Sequence, residues 1–156
     1  MGRFLDLDVT LKALRPTVRR RFLLHDGATL VDLYAALSDA LGYSGARGFE
    51  AWRVEPGADP LATAGDPAAA RMLLSDLLGA GSRSIVVIYD PDAWWEHVVT
   101  LKRVRELPIE AARRLVSGRG AAPPEGCGGL AGYEALRAAG ALPEPDLDDL
   151  RSGFDA

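Results

Sequence analysis

The sequence predicts a single α+β domain: a mixed sheet with a hairpin-helix-strand start, β-grasp-like in order, and a helical C-terminal segment. Three observations carry this. Residues 5–12, LDLDVTLK, alternate strictly between apolar and polar, the period of a half-buried strand. Residues 29–42 place apolar side chains at helical spacing between a threonine and a glycine, a start and stop for a helix. Residues 84–89, SIVVIY, are continuous and rich in β-branched residues, as in a strand covered on both faces. A length of 156 residues favours one domain with a core of its own.

In the first strand Leu5, Leu7, Val9 and Leu11 face one way and Asp6, Asp8, Thr10 and Lys12 the other. Arg15-Pro16-Thr17 breaks it, because proline removes a ladder donor and fixes φ. VRRRFLL, residues 18–24, then reads as the second strand of a hairpin, with Asp6 and Asp8 expected opposite Arg19 and Arg21. Thr29 and Asp32 form a capping-box-like start, and Leu30, Leu33, Tyr34, Leu37 and Leu41 make the apolar face of the helix that Gly42 ends. GFEAWRV, residues 48–54, reads as a strand. Residues 55–70, rich in Pro, Gly, Ala and Asp, read as a mobile, dispensable loop. LLSDLL, residues 73–78, suits a short helical turn, and WEHVVTLKRV, residues 95–104, the last good strand. Beyond it a short helix is expected from Ile109 to Val116, then a glycine-proline loop, then LAGYEALRAAG as a helix ended by Gly140. The chain after Leu142 is acidic, which divides it into a domain over residues 1–142 and an acidic tail over 143–156.

The hydrophobic share of 48% and the charged share of 26% are those of folded soluble proteins and weigh against global disorder. A formal charge of -4 gives no overall attraction to phosphate backbones. No stretch approaches the roughly 20 apolar residues of a membrane helix, and MGRFLDLDVT lacks an apolar signal core, so a cytoplasmic protein without a membrane partner is expected. A single cysteine closes no internal disulfide.

Three segments carry a family pattern: TLKALRPTVRRRF with TLVDLYAALSDALGY behind it, LLSDLL followed by YDPDAWWEHVVTL, and PPEGCGGLAGYEAL. In order and spacing they resemble the plasmid pRiA ORF-3-like family of small bacterial and archaeal proteins, often encoded near mobile elements. The resemblance runs from Thr10 to Ala139, and Pro123 to Tyr133 is its most specific part. It implies no established activity; members labelled transposon resolvases have no recombinase motif to justify the name. Where the family commonly reads YDFGDxWxH, this chain keeps Tyr89, Asp90, Trp95 and His97 and loses the Phe-Gly-Asp centre. ARGFEAW stands in place of the family's HLHxF stretch. Where the family has CPPEDCGG, Ala122 replaces the first cysteine and Gly126 the aspartate, so a family metal or polar site would be degraded here.

Cys127 is the first candidate. A structural zinc takes about four ligands, and the chain offers one cysteine and two histidines; no metal and no cofactor is expected. As a nucleophile Cys127 would need His97 as base and a lowered pKa, which a loop leading into a helix N-terminus favours. The preferred reading is a small buried residue in a loop whose glycines supply positive φ. His97 is in phase with Trp95, Val99 and Leu101, hence on the apolar face, and is read as hydrogen-bonded core before ligand. Asp90 is the nearest acid retained from the motif.

Arg20 shares parity with Val18, Phe22 and Leu24 and must point inward, so a carboxylate from Asp90, Asp92 or Glu96 is expected within salt-bridge reach; the alternative is a pocket arginine that binds an anion. Parity splits the RRR run across both faces and leaves no continuous basic patch. Trp94 and Trp95 face opposite ways, one core and one surface, and an exposed Trp94 would point to a partner. Binding candidates are thus Arg20, Tyr89, Trp94 and Trp95.

The first functional reading is a non-enzymatic module that binds a protein or small-molecule partner; no glycine-rich phosphate loop, HExxH or paired-cysteine motif is legible. The second is a small metal- or thiol-dependent hydrolase using His97, Cys127 and Asp90, which must then converge. The third, not favoured, is a DNA-associated accessory protein with a one-sided basic surface from Arg15, Arg19, Arg21, Lys102 and Arg103.

Overall fold

The chain is described here by a computed structural model that covers residues 1–53, 59–79 and 81–155. Among the described residues seven strands form one sheet: β1 (Gly2–Leu11), β2 (Arg19–His25), β3 (Phe49–Trp52), β4 (Ala62–Thr63), β5 (Ser84–Tyr89), β6 (Trp95–Leu107) and β7 (Arg113–Arg119). The helices are α1 (Leu30–Leu41), α2 (Leu74–Leu77), α3 (Gly129–Ala138) and α4 (Leu147–Phe154), with a 3-10 turn at Pro67–Arg71. Strand order is β4-β3-β5-β6-β1-β2-β7. Every pairing in it is antiparallel, which corrects the expectation of a mixed sheet. A parallel pair needs a crossover that returns beside its own starting strand; α1 instead carries the chain from β2 to β3, four places away across the sheet.

The β1–β2 hairpin forms as the alternation requires. Leu5, Leu7, Val9 and Leu11 are buried on the inner face, and Arg19 reaches Asp8 at 2.6 Å while Arg21 reaches Asp6 at 2.7 Å. Thr29 caps α1 through a complete capping box with Asp32, and Gly42 ends it at φ 77°, a left-handed position that suits glycine. β5 is covered on both sides: Ile85, Val87 and Tyr89 join the main core, while Val86 and Ile88 pack with Trp52 behind the sheet.

Two further expectations are corrected. The helix expected from Ile109 to Val116 is absent; β6 runs on to Leu107 and the chain returns as β7, paired with β2 from Arg19↔Arg119 to Leu24↔Arg113. Local helix propensity is a weak term beside the backbone hydrogen bonds an unpaired sheet edge offers. The loop expected over residues 55–70 lies partly outside the described residues, as does Val54 of the expected strand. Its remainder holds β4 and the 3-10 turn, with Ala62 and Ala69 buried, and is no dispensable loop.

All helical elements bring their buried residues to one face: Leu33, Leu37, Ala69, Leu74, Tyr133 and Phe154 share a cluster with Leu7, Val9 and Phe22. The opposite sheet face carries no helix among the described residues. In the acidic stretch beyond Leu142, α4 docks against β7. Phe154 is fully buried with its ring 5.2 Å from that of Phe22, and the Leu115 N–H donates to Asp155 at 2.8 Å. Arg151 donates to the carbonyls of Leu115 and Val116 at 3.1 and 2.7 Å, so α4 covers groups that an edge strand leaves open. No described helix is long and apolar enough to cross a membrane.

Candidate functional site

Polar side chains gather where three loops meet: residues 43–48 after α1, the 90–94 turn after β5, and the glycine-proline loop before α3. Tyr89, the last residue of β5, is the centre. Its hydroxyl donates to Glu125 and accepts from the backbone N–H groups of Gly45 and Arg47 at 3.1 and 3.3 Å. Glu125 also accepts from the Ser44 N–H at 2.7 Å and the Ser44 hydroxyl at 3.0 Å. The Tyr89 hydrogen bond, against the opposing effect of burial and with help from Ser44 and the Arg47 guanidinium, holds Glu125 below the usual carboxylate range. Burial first, then the Glu125 bond, pushes the Tyr89 phenol up. Arg47 bridges to Asp90 at 3.7 Å and Glu125 at 3.9 Å.

Behind this cluster Tyr43 stacks on Tyr89, ring centroids 4.3 Å apart, and meets His97. The Nδ1 of His97 lies 2.8 Å from the Val87 carbonyl, which only accepts, so Nδ1 carries the proton and Nε2 accepts from the Tyr43 hydroxyl at 2.8 Å. His97 is fully buried, and burial lowers its pKa to about 4 against the opposing pull of the Val87 and Trp95 carbonyls. Burial likewise raises the Tyr43 phenol well above its ordinary value. The imidazole is thus neutral at neutral pH and lies on the apolar face, where the strand's parity placed it.

Asp90 is buried and left-handed at φ 54°, and Trp94 at φ 63° closes the same turn, both amides of Ala93 and Trp94 donating to the Asp90 carbonyl at 2.9 and 2.7 Å. Trp94 is exposed and its indole N–H donates to Glu96 at 3.1 Å, while Trp95 is core, set edge-on to Tyr133. Cys127 is half-buried; its thiol faces the Gly129 carbonyl at 3.8 Å, and burial raises its pKa. A helix N-terminus favours a thiolate, but here desolvation outweighs that. Gly128 caps α3 at φ 95°, and Gly132 lies so close to the loop that an added Cβ would sit 1.5 Å from the Cys127 carbonyl oxygen.

Two of the three segments of the family pattern therefore meet: Glu125 bonds Tyr89, Tyr133 packs on Trp95, and Gly129 lies against Ala93. His97 and Cys127, by contrast, bond to different partners. Among the described residues no group of three His, Cys, Asp or Glu side chains is arranged to hold a metal. Glu125, Ser44, Arg47 and Tyr43 escaped sequence reasoning; Glu125 carried a signal in the PPE motif and Tyr43 in the family segment that it ends.

Arg20 lies elsewhere. It is 1% exposed, as parity required, but no acid among the described residues forms a salt bridge with it. Its Nε donates to the Ala40 carbonyl at 2.9 Å, and Nη1 to the carbonyls of Arg19, Arg119 and Gly120 at 2.9, 2.9 and 3.1 Å. The expected partner among Asp90, Asp92 and Glu96 is thus replaced by a cage of backbone dipoles, which satisfies the guanidinium without taking a second charge out of water. Burial lowers the Arg20 pKa, and Glu144 opposes this through space.

A family model described as plasmid pRiA4b ORF-3-like protein matches residues 3–154. The chain is 31% identical over 132 residues to the uncharacterised protein y4hQ of Sinorhizobium fredii, covering 82% of this chain and 68% of that protein. Its fold is similar to the crystal structure of a protein of unknown function from Methanosarcina mazei, with a TM-score of 0.73 at 23% identity, over 89% of this chain and 82% of the other.

Proposed function

We propose that this chain, which belongs to the plasmid pRiA4b ORF-3-like family, is a non-enzymatic binding module. The observation that carries this reading is the state of His97: both ring nitrogens are committed, one to Val87 and one to Tyr43, in a fully buried site. A general base works with a pKa near the operating pH and a free lone pair; this imidazole has neither. The Cys127 thiol is raised by burial and bonded to Gly129, so the thiol reading loses its nucleophile as well as its base. The Tyr89 hydroxyl joins the loop after α1 to the glycine-proline loop, accepting from the Gly45 N–H and donating to Glu125, which also accepts from the Ser44 N–H.

What the fold offers a partner is surface. The outer sheet face is free of helices among the described residues, and Trp94 stands exposed at its margin. A small molecule would find a cavity of about 400 Å³ beside Ser44, walled by the stacked rings of Tyr34 and Phe49.

The test is metal analysis together with native mass of untagged protein purified without chelator. A metal-free chain of defined stoichiometry is the expected result. Stoichiometric transition metal that disappears in His97→Ala or Cys127→Ala would overturn the reading in favour of a hydrolase.

A further inference from the structure

The outer sheet face holds a charge distribution that the balance of the whole chain hides. Strands β6, β1, β2 and β7 lie side by side. Their registers pair Asp6 with Arg103, Asp8 with Arg21, Phe4 with Arg105, Thr10 with Arg19, and Arg19 with Arg119, so these side chains share the face opposite Leu5, Leu7 and Val9. On this patch Arg19, Arg21, Arg103, Arg105 and Arg119 stand against Asp6 and Asp8; on the same face Arg114 is paired with Asp155 and Glu96 with Lys12. The parity that sends Arg20 inward leaves its two neighbours here, and the other strands complete the set.

Asp6 explains how the arginines are held. It is fully buried on the outer face, where Phe4 and Leu23 are buried as well, and three guanidiniums close around it. Arg21 donates to both its oxygens at 2.9 and 2.7 Å, Arg103 lies at 3.4 Å and Arg105 at 3.8 Å. One carboxylate thus orders three cations and neutralises one, while the Arg103 side chain remains 60% exposed. A guanidinium has five N–H donors, so the outward edges stay available. Side chains already ordered on rigid strands lose little further entropy when they meet an anion.

We propose that this face docks the phosphate backbone of a nucleic acid without reading its sequence. From β6 to β7 is three interstrand steps, about 14 Å, a length over which one strand presents roughly 4 phosphates. The planar, always charged guanidinium suits phosphate oxygens, and among the described residues the patch holds no exposed aromatic platform for bases. The inference rests on the binding-module reading and names its partner; an acidic polypeptide is the competing occupant.

The test is fluorescence anisotropy of a labelled mixed-sequence DNA duplex with the intact protein, against polyglutamate as control. With about 3 phosphates neutralised, affinity should fall about 50-fold between roughly 50 and 200 mM salt. Arg103→Gln with Arg105→Gln should weaken binding at least about tenfold and flatten the salt slope by about one for each phosphate no longer engaged. Arg119→Gln, which does not touch Asp6, should act the same way to a smaller degree and guards against a folding defect. Salt-independent binding, no binding, indifference to all three substitutions, or equal affinity for polyglutamate would overturn the proposal. Each leaves the metal and mass result standing, so the two readings fail separately.

Discussion

The Nε–H of Arg20 donates to the carbonyl oxygen of Ala40 at 2.9 Å, tying a buried cation of β2 to the last turn of α1. The final carbonyls of a helix have no intrahelical donor and sit at the negative end of its dipole, where a cation is favoured. Arg20 therefore serves as an internal C-terminal cap for α1 and also pins the end of β7 through Arg119 and Gly120.

Replacing Arg20 by Met keeps bulk and removes every donor, leaving buried carbonyls unsatisfied. A loss of about 3 kcal/mol is expected, or roughly a 10 °C fall in Tm for a chain of this size. Arg20→Lys should recover only part of it, since an ammonium cannot span all four carbonyls. A melt of Arg20→Met within about 1 kcal/mol of the parent would refute the cage.

His97 gives the fold a pH dependence of definite sign. In the unfolded chain its imidazole takes up a proton near pH 6.5, whereas in the folded chain it resists until about 4. The stability it supports is complete above the unfolded value and is lost as pH falls from about 6.5 to about 4, after which the loss levels off. The full amount is about 3 kcal/mol. Urea midpoints across that range should show it, and His97→Gln, which cannot titrate, should flatten the profile; an unchanged profile would contradict the assignment.

Gly132→Ala forces the Cys127 carbonyl away from its present place. The glycine loop should open, and the thiol, now half-buried with a raised pKa, should react faster with a disulfide reagent at neutral pH. We expect at least a tenfold increase on the order of what desolvation withholds. Equal rates in parent and variant would mean that Gly132 does not hold the loop.

Phe154→Ala should cost about 3 kcal/mol, the range for removing a fully buried aromatic ring, because the ring that Phe22 packs on, and that the Arg113 guanidinium covers at 4.5 Å, is gone. Hydrogen exchange at Leu115, whose N–H is held by Asp155, should quicken in the same variant. Protection that survives would show that α4 stays docked without its anchor.

The elements legible in the sequence are those whose periodicity is strong and local. Leu5 to Leu11 alternate into the core, the Thr29 cap and Gly42 bracket α1, and SIVVIY is the doubly covered β5. The inward parity of Arg20 and His97 was legible for the same reason: a strand's period assigns each side chain a face before any neighbour is known. The site was less so. Tyr43, Tyr89 and Asp90 stood in family segments, but Ser44 and Arg47 carry no spacing that marks them, and they matter only because three loops end at one place.

What a residue meets on its assigned face depends on segments far away in the chain, and the tertiary structure alone decided it. Carbonyls of Ala40, Arg119 and Gly120 took the place of a carboxylate around Arg20. The edge of β2 turned residues 113–119 into a strand where a helix was expected over 109–116. A register shift between Asp6 and Leu7, which leaves Lys102 as the extra residue of β6, brings Arg103 and Arg105 to Asp6 and buries a carboxylate on the sheet face that carries no described helix. Periodicity is a property of neighbouring residues and survives in the sequence; register, edges and bulges are relations between distant segments, and they exist only once the chain has folded.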